Sequence, residues 1–100
     1  MSGSPAFAWT CLEIERATPL SELVTRGTVR LALKQAGLEA QAVSGREMSS
    51  VLRQILPQEL ANRAVPDSTR LCHELAGRIL NEGFEGSDPV ADIFRRLGGG

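Results

Sequence analysis

The sequence predicts an all-α protein, a small orthogonal helical bundle of five to six short helices. Apolar residues recur at three- and four-residue spacings in several separate stretches, which is typical of helices that bury one face. Prolines and glycines stand between these stretches, where they would end one helix and turn the chain into the next. A long coiled coil would need sustained heptads, and the sequence has none. We therefore expect a single helical domain over residues 5–97, with flexible ends at 1–4 and 98–100.

The composition is ordinary for a globular domain. The chain has 100 residues, of which 42% are hydrophobic and 23% charged, so one modest core is expected. Its formal net charge of -1 gives no electrostatic reason to expect nucleic acid or an anionic membrane. No apolar run approaches the roughly 18 residues of a membrane span, and residues 1–9 lack the basic start and apolar core typical of a signal peptide, so we expect neither. We expect a cytoplasmic protein with two reduced cysteines.

The first helix is predicted to begin at Ser4 and Pro5, an N-cap followed by the proline that suits a first helical position. Its apolar residues allow two interpretations, because Phe7, Trp9 and Cys11 alternate like a strand. The spacing of Phe7, Cys11 and Ile14 is helical, and helices surround the segment, so we favour a helix. Its predicted end is near residues 16–17, because Pro19 disfavours helical geometry at the preceding residue.

The second helix, over residues 18–38, is the longest, with Thr18 as its expected N-cap. It carries two apolar faces that lie roughly opposite each other at about 100° per residue. The first consists of Leu20, Leu23, Val24 and Leu31, and the second of Val29, Ala32, Leu33 and Ala36. Such a helix is usually central and buried on both sides, so we expect Gly27 at a close crossing with a neighbour. The alternative is a break at Gly27, with Thr28 capping a further helix.

Two later helices have clear start and end signals in the sequence. Ser44 and Glu47 form the pattern of a capping box, which opens an apolar stripe through Met48, Val51, Leu52, Ile55 and Leu56. A kink or restart is expected at Pro57. Another helix should begin with Asp67 or Ser68 as its cap and end at Gly83. The predicted core of the whole bundle consists of Leu23, Val24, Leu31, Leu33, Val51, Leu52, Ile55, Leu71, Leu75 and Ile79.

The sequence contains no convincing catalytic or metal-binding set. His73 is the only histidine, and its neighbours Cys72 and Glu74 would point about 100° away from it on a helix. Together with Cys11 these residues make too few ligands, at no motif spacing, for a structural zinc site. We therefore expect no enzyme, no cofactor and no metal.

Protein–protein interaction is the leading functional prediction, with another protein or a second copy of the chain as the partner. Most of the aromatic residues lie near the two termini, and aromatic residues are enriched in interface cores. A last short helix, Pro89 to Leu97, could leave the bundle and place an apolar stripe in a partner's groove. The candidate contact residues are Phe7, Trp9, Val90, Ile93, Phe94 and Leu97.

A nucleic-acid-binding regulator is the alternative. Arg26, Arg30 and Lys34 are spaced four residues apart on the second helix, so they could form a stripe that contacts phosphates. Such a row is more often the solvated face of a helix.

Overall fold

The structure, a computed structural model, describes residues 3–84. Within this range the chain forms five α-helices and no strand, which confirms the all-α prediction. They are α1 (Pro5–Ala17), α2 (Glu22–Gln35), α3 (Gly45–Gln54), α4 (Leu56–Ala61) and α5 (Ser68–Ile79). The predicted helix over 89–97 lies outside the described residues. Among the five helices, none is both long enough and apolar enough to cross a membrane.

Local capping signals set the starts of α1 and α3 as predicted. The Ser4 hydroxyl accepts a hydrogen bond from the backbone N–H of Phe7 at 3.2 Å, and Pro5 occupies the first turn of α1. At α3 the capping box is complete. The Ser44 hydroxyl accepts from the Glu47 N–H at 3.1 Å, and the Glu47 carboxylate accepts from the Ser44 N–H at 2.9 Å. These bonds satisfy backbone donors that the first turn of a helix leaves unpaired.

Pro57 separates α3 from α4, as the sequence predicts. Helix α3 ends at Gln54, and α4 begins at Leu56 with the proline in its first turn, where no intrahelical N–H is required. Ser68, the first residue of α5, contacts this corner, because its hydroxyl donates to the Pro57 carbonyl at 2.9 Å. Asp67, one of the two predicted caps, occupies the N-cap position of α5, but its side chain makes no capping hydrogen bond.

The start of α2 differs from the prediction, because its N-cap is Ser21 and not Thr18. The Ser21 hydroxyl accepts from the Val24 N–H at 3.2 Å. Thr18 instead closes α1, since its hydroxyl donates to the Ile14 carbonyl at 2.8 Å and accepts from the Leu20 N–H at 3.3 Å. Thr18 and Ser21 are three residues apart, and both have side chains suited to capping a helix. Because the Thr18 side chain bonds to the end of α1, Ser21 caps α2.

Helix α2 is continuous through Gly27, so the chain does not break there. The predicted close crossing at this residue is wrong, because Gly27 is exposed and a Cβ atom built on it would meet nothing within 4 Å. The expectation that α2 is buried on both sides is also wrong. Only one of its two apolar faces enters the core.

All five helices contribute to one core, in which α3 packs closely on α5. The buried Ser49 hydroxyl joins these two helices by donating to the Ala76 carbonyl at 2.8 Å. Five predicted core residues are buried, and Ile55 and Leu71 pack against them while partly exposed. The buried five are Leu33, Val51, Leu52, Leu75 and Ile79. Three core predictions are wrong, since Leu23, Val24 and Leu31 are 83%, 44% and 42% exposed.

Candidate functional site

An exposed apolar surface on α2 is the candidate site, and we call it the α2 apolar face. It consists of Leu23, Val24, Gly27 and Leu31, which share one side of the helix at about 100° per residue. The opposite side of α2 is buried and carries Thr25, Thr28, Val29, Ala32 and Leu33. The helix thus places two threonines in the core while it leaves two leucines and a valine in solvent. This inversion of the usual arrangement is what singles out the surface.

The charge of Lys34 explains why this face points outward. Lys34 lies three residues beyond Leu31 and seven beyond Gly27, so it shares their side of the helix and is exposed with them. Rotating the helix to bury the leucines would also bury the ammonium group, which costs several kcal/mol without a partner. The threonines are easier to bury, because a hydroxyl can bond to the helix itself. The Thr28 hydroxyl donates to the Val24 carbonyl at 2.7 Å.

The α2 apolar face is a contiguous surface and not a set of scattered residues. Among residues 3–84, the other large hydrophobic side chains that are clearly exposed are Leu12 and Leu80, at 48% and 50%. They belong to α1 and to the C-terminal end of α5, and single exposed leucines are common on soluble proteins. Three large apolar side chains within three turns of one helix are a different case, typical of an interaction site.

The positively charged residues along α2 do not form a row of side chains that are all free of contacts with other side chains. Arg26 lies 3.2 Å from the carboxylate of Glu22, although its Nε lacks an aligned hydrogen bond. The Arg30 guanidinium lies 5.3 Å from the centroid of the Phe7 ring and covers it. Lys34 is exposed. Two of the three residues predicted to contact phosphates therefore already interact with other side chains of the protein.

The aromatic residues predicted to bind a partner are placed differently from one another. Phe7 is fully buried, which counts against it as a contact residue. Trp9 is half-buried; its ring meets Phe84 edge-on at 6.4 Å, and the Arg78 guanidinium lies 5.4 Å from its centroid. The remaining candidates, Val90, Ile93, Phe94 and Leu97, lie outside the described residues. The structure therefore does not bring the terminal aromatic residues into one described surface.

The cysteines are held in the core in a form that does not favour thiol chemistry. Cys11 and Cys72 are both buried and unpaired. Burial raises the pKa of each thiol to about 12, so almost no nucleophilic thiolate is present at neutral pH. Within residues 3–84, no group of three or more His, Cys, Asp or Glu side chains could hold a metal ion.

A surface depression of about 620 Å³ at the start of α5 offers no reactive group. His73 and Arg70 line it together with Ser68, the residue that a histidine could activate as a nucleophile. The Ser68 hydroxyl, however, donates to the Pro57 carbonyl and not to His73. This depression is consequently a weaker candidate for a site than the α2 apolar face.

The chain has no significant match among protein-family models, curated proteins or solved structures. Any functional proposal must therefore come from its own residues and surfaces.

Proposed function

We propose that this chain is a small protein–protein interaction module, an adaptor or accessory subunit, that binds its partner through the α2 apolar face. The single observation that carries the proposal is the exposure of Leu23, at 83%, beside Val24 and Leu31. The proposal keeps the class of function that the sequence predicts but moves the binding surface from the terminal aromatic residues to α2. We further propose a cytoplasmic location, since two unpaired cysteines favour a reducing compartment.

The energetic argument rests on the area that a partner would remove from water. Burying a leucine side chain completely is worth about 1.5–3 kcal/mol. Leu23 would recover most of this value on binding, and Leu31 and Val24 about half of theirs, because they start 42% and 44% exposed. The face is already helical and anchored by the core on its other side. A partner therefore binds a preformed surface, with little ordering cost on this side of the complex.

The surroundings of the face indicate the chemistry of the partner. Arg30 lies beside the α2 apolar face, Lys34 lies on the same side of the helix as the face, three residues beyond Leu31, and Gly27 leaves a shallow place at the middle. A complementary surface would be an apolar helix or groove with an acidic side chain opposite these two cations. Charged residues at a rim mainly steer association, so the association rate should fall as salt increases.

Site-specific photocrosslinking in cells tests the proposal. A photoreactive amino acid replaces Leu23 in one variant and Leu80 in a control, because both side chains are large and exposed and α5 does not contact α2. We expect a discrete adduct, identified by mass spectrometry, from position 23 and none of the same mass from position 80. The adduct should disappear when Leu31→Ser is added. Equal labelling at both positions, or no adduct at position 23, would contradict the proposal.

A further inference from the structure

We infer that the partner of the α2 apolar face is a different protein, whose apolar groove receives α2 and places a carboxylate opposite Lys34. The inference rests on the proposed function and names the chemistry of the partner at the same surface. It depends on three properties of the described residues: the position of Lys34 on the face, the absence of a carboxylate from the face and the convex form of the face.

Lys34 lies on the midline of the α2 apolar face and not at its side. At about 100° per residue it is about 20° around the helix from Gly27, between Leu23 on one side and Leu31 on the other. Along the helix axis it follows Leu31 by about 4.5 Å. Arg30 is placed differently, because it lies about 60° from Gly27 and its guanidinium already covers an aromatic ring of α1.

An interface over the α2 apolar face reaches Lys34. A standard interface buries roughly 800 Å² on each partner, which is more than the partly exposed side chains of Leu23, Val24 and Leu31 supply. Beyond Leu31, the next residue on the same midline is Lys34, and its ammonium forms no ion pair among residues 3–84. A partner that covered this ammonium without a carboxylate would leave a buried charge unpaired. The partner therefore carries a carboxylate near the site that receives Leu31.

A second copy of the chain does not supply this carboxylate through the same face. Two α2 apolar faces in contact would bring together two Lys34 ammonium groups and no acidic side chain. Glu22, the acidic residue of α2, lies about 140° around the helix from Gly27. Its carboxylate is also already 3.2 Å from the Nε of Arg26. The charge on the face thus favours a different protein over a symmetric pair of α2 helices.

The partner supplies the groove, because the α2 apolar face is convex. Its residues all belong to one helix, and Leu23 is 83% exposed. A Cβ atom on Gly27 would meet nothing within 4 Å, so none of the described elements stands over the helix at this point. Val24, Gly27 and Leu31 follow the i, i+3, i+7 spacing with which a helix enters a partner's groove. The chain is thus the inserted element of the complex.

Zero-length crosslinking with a carbodiimide tests the carboxylate. This reagent joins a carboxylate to an amine in contact with it, and Lys34 is the only lysine of the chain. The probe is the polypeptide that the photoreactive amino acid at position 23 labels, after its purification. We expect an amide-linked adduct of one chain with one probe, formed through Lys34.

Lys34→Arg is the matched control for the coupling. The guanidinium keeps the positive charge but is not coupled by the reagent, so the variant should bind the probe and give only the adduct formed by the N-terminal amine. Equal adduct from the native chain and from Lys34→Arg would overturn the placement of a carboxylate opposite Lys34.

Charge reversal tests whether the contact contributes to binding. Lys34→Glu should weaken binding of the probe by about tenfold or more. Replacing the carboxylate that the linked peptide identifies with lysine should restore binding to Lys34→Glu. Arg46→Glu is the control, because Arg46 is an exposed basic residue beside the C-terminal end of α5, and it should leave the affinity unchanged. Unchanged affinity of Lys34→Glu would overturn the inference.

The outcomes separate this inference from the proposed function. A different polypeptide that is labelled from position 23 but not coupled to Lys34 would sustain the interaction module and overturn the carboxylate opposite Lys34. A labelled product with the mass of two or more copies of the chain would overturn the different protein as the partner. If position 23 labels no polypeptide, the proposed function is contradicted and the inference falls with it.

Discussion

The guanidinium of Arg30 lies 5.3 Å from the centroid of the Phe7 ring, so a basic residue of α2 covers an aromatic residue of α1. Phe7 has no exposed surface under this cover and the surrounding core. The contact couples an α2 side chain to the packing of the N-terminal helix. Arg30 therefore has a structural role that its position on a basic stripe does not reveal.

Removal of the Arg30 guanidinium from the Phe7 ring should lower the free energy of unfolding. We expect Arg30→Ala to reduce the free energy of unfolding by about 0.5–1 kcal/mol through loss of the cation–π contact. Lys34→Ala is the matched control, because Lys34 is an exposed basic residue one turn further along the same helix. Its substitution should change stability by less than about 0.5 kcal/mol. Equal effects in urea unfolding would show that the contact with Phe7 contributes nothing.

A buried hydroxyl in α2 offers a stabilising substitution. The Thr25 hydroxyl is buried and has no hydrogen-bond partner among the described residues, whereas the Thr28 hydroxyl donates to the Val24 carbonyl. Valine has nearly the same shape as threonine, so Thr25→Val should remove a desolvation cost and stabilise the fold by about 1 kcal/mol. Thr28→Val loses a bond and should bring no such gain. If both variants unfold at the same denaturant concentration, Thr25 has a partner in solution.

The glycines within helices differ in whether a Cβ atom added to them would have open space or would meet another atom. Gly27 and Gly77 have open space where a Cβ would lie, so replacing either with alanine should stabilise the fold by about 0.5–1 kcal/mol. A Cβ on Gly45 would lie 2.8 Å from the Phe84 carbonyl oxygen, so Gly45→Ala should destabilise the fold. Thermal unfolding at low protein concentration measures all three. A stabilising effect at Gly45 would mean that Phe84 is not held against α3.

The carboxylate of Glu59 should make stability depend on pH. The Gln35 side chain donates to it at 2.8 Å and Arg63 at 2.9 Å, and these bonds, Gln35 first, hold the pKa of Glu59 below its ordinary value of 4.5. A pKa that is lower in the folded state stabilises the fold above the unfolded value, and the contribution is lost as the pH falls through the folded value. Glu59→Gln should therefore be less stable than the native chain at neutral pH, and the two should converge in acid. A gap that persists unchanged in acid would contradict this account.

The local elements of the fold could be predicted because their causes are local. Ser4 with Pro5, and Ser44 with Glu47, satisfy backbone groups within their own first turns, so the sequence contains the whole interaction. The same holds for Pro57, which cannot continue α3 whatever surrounds it. The start of α2 is harder to predict, because Thr18 bonds backward to α1 and a capping residue between two helices can serve either one.

The candidate site could not be predicted from apolar spacing alone. Spacing identifies both apolar faces of α2 but does not say which one enters the core, because the rotation of a helix is decided by its neighbours. A usable signal is present in Lys34, which shares the side of Leu31 and would be costly to bury. Phe7 shows the complementary difficulty, since it lies near a terminus in the sequence but is fully buried in the fold, with Arg30 over its ring.

Leu23→Ser, measured for both association and stability in one preparation, tests the central claim most directly. The claim is that the α2 apolar face serves binding and not folding. Because Leu23 is 83% exposed, the variant should retain its free energy of unfolding within about 0.5 kcal/mol, while the adduct that a photoreactive amino acid at position 31 forms with the partner is lost. Leu80→Ser, at an exposed position away from α2, should change neither quantity. A fall of about 2–5 kcal/mol in the stability of Leu23→Ser would instead show that the face belongs to the core and would contradict the account.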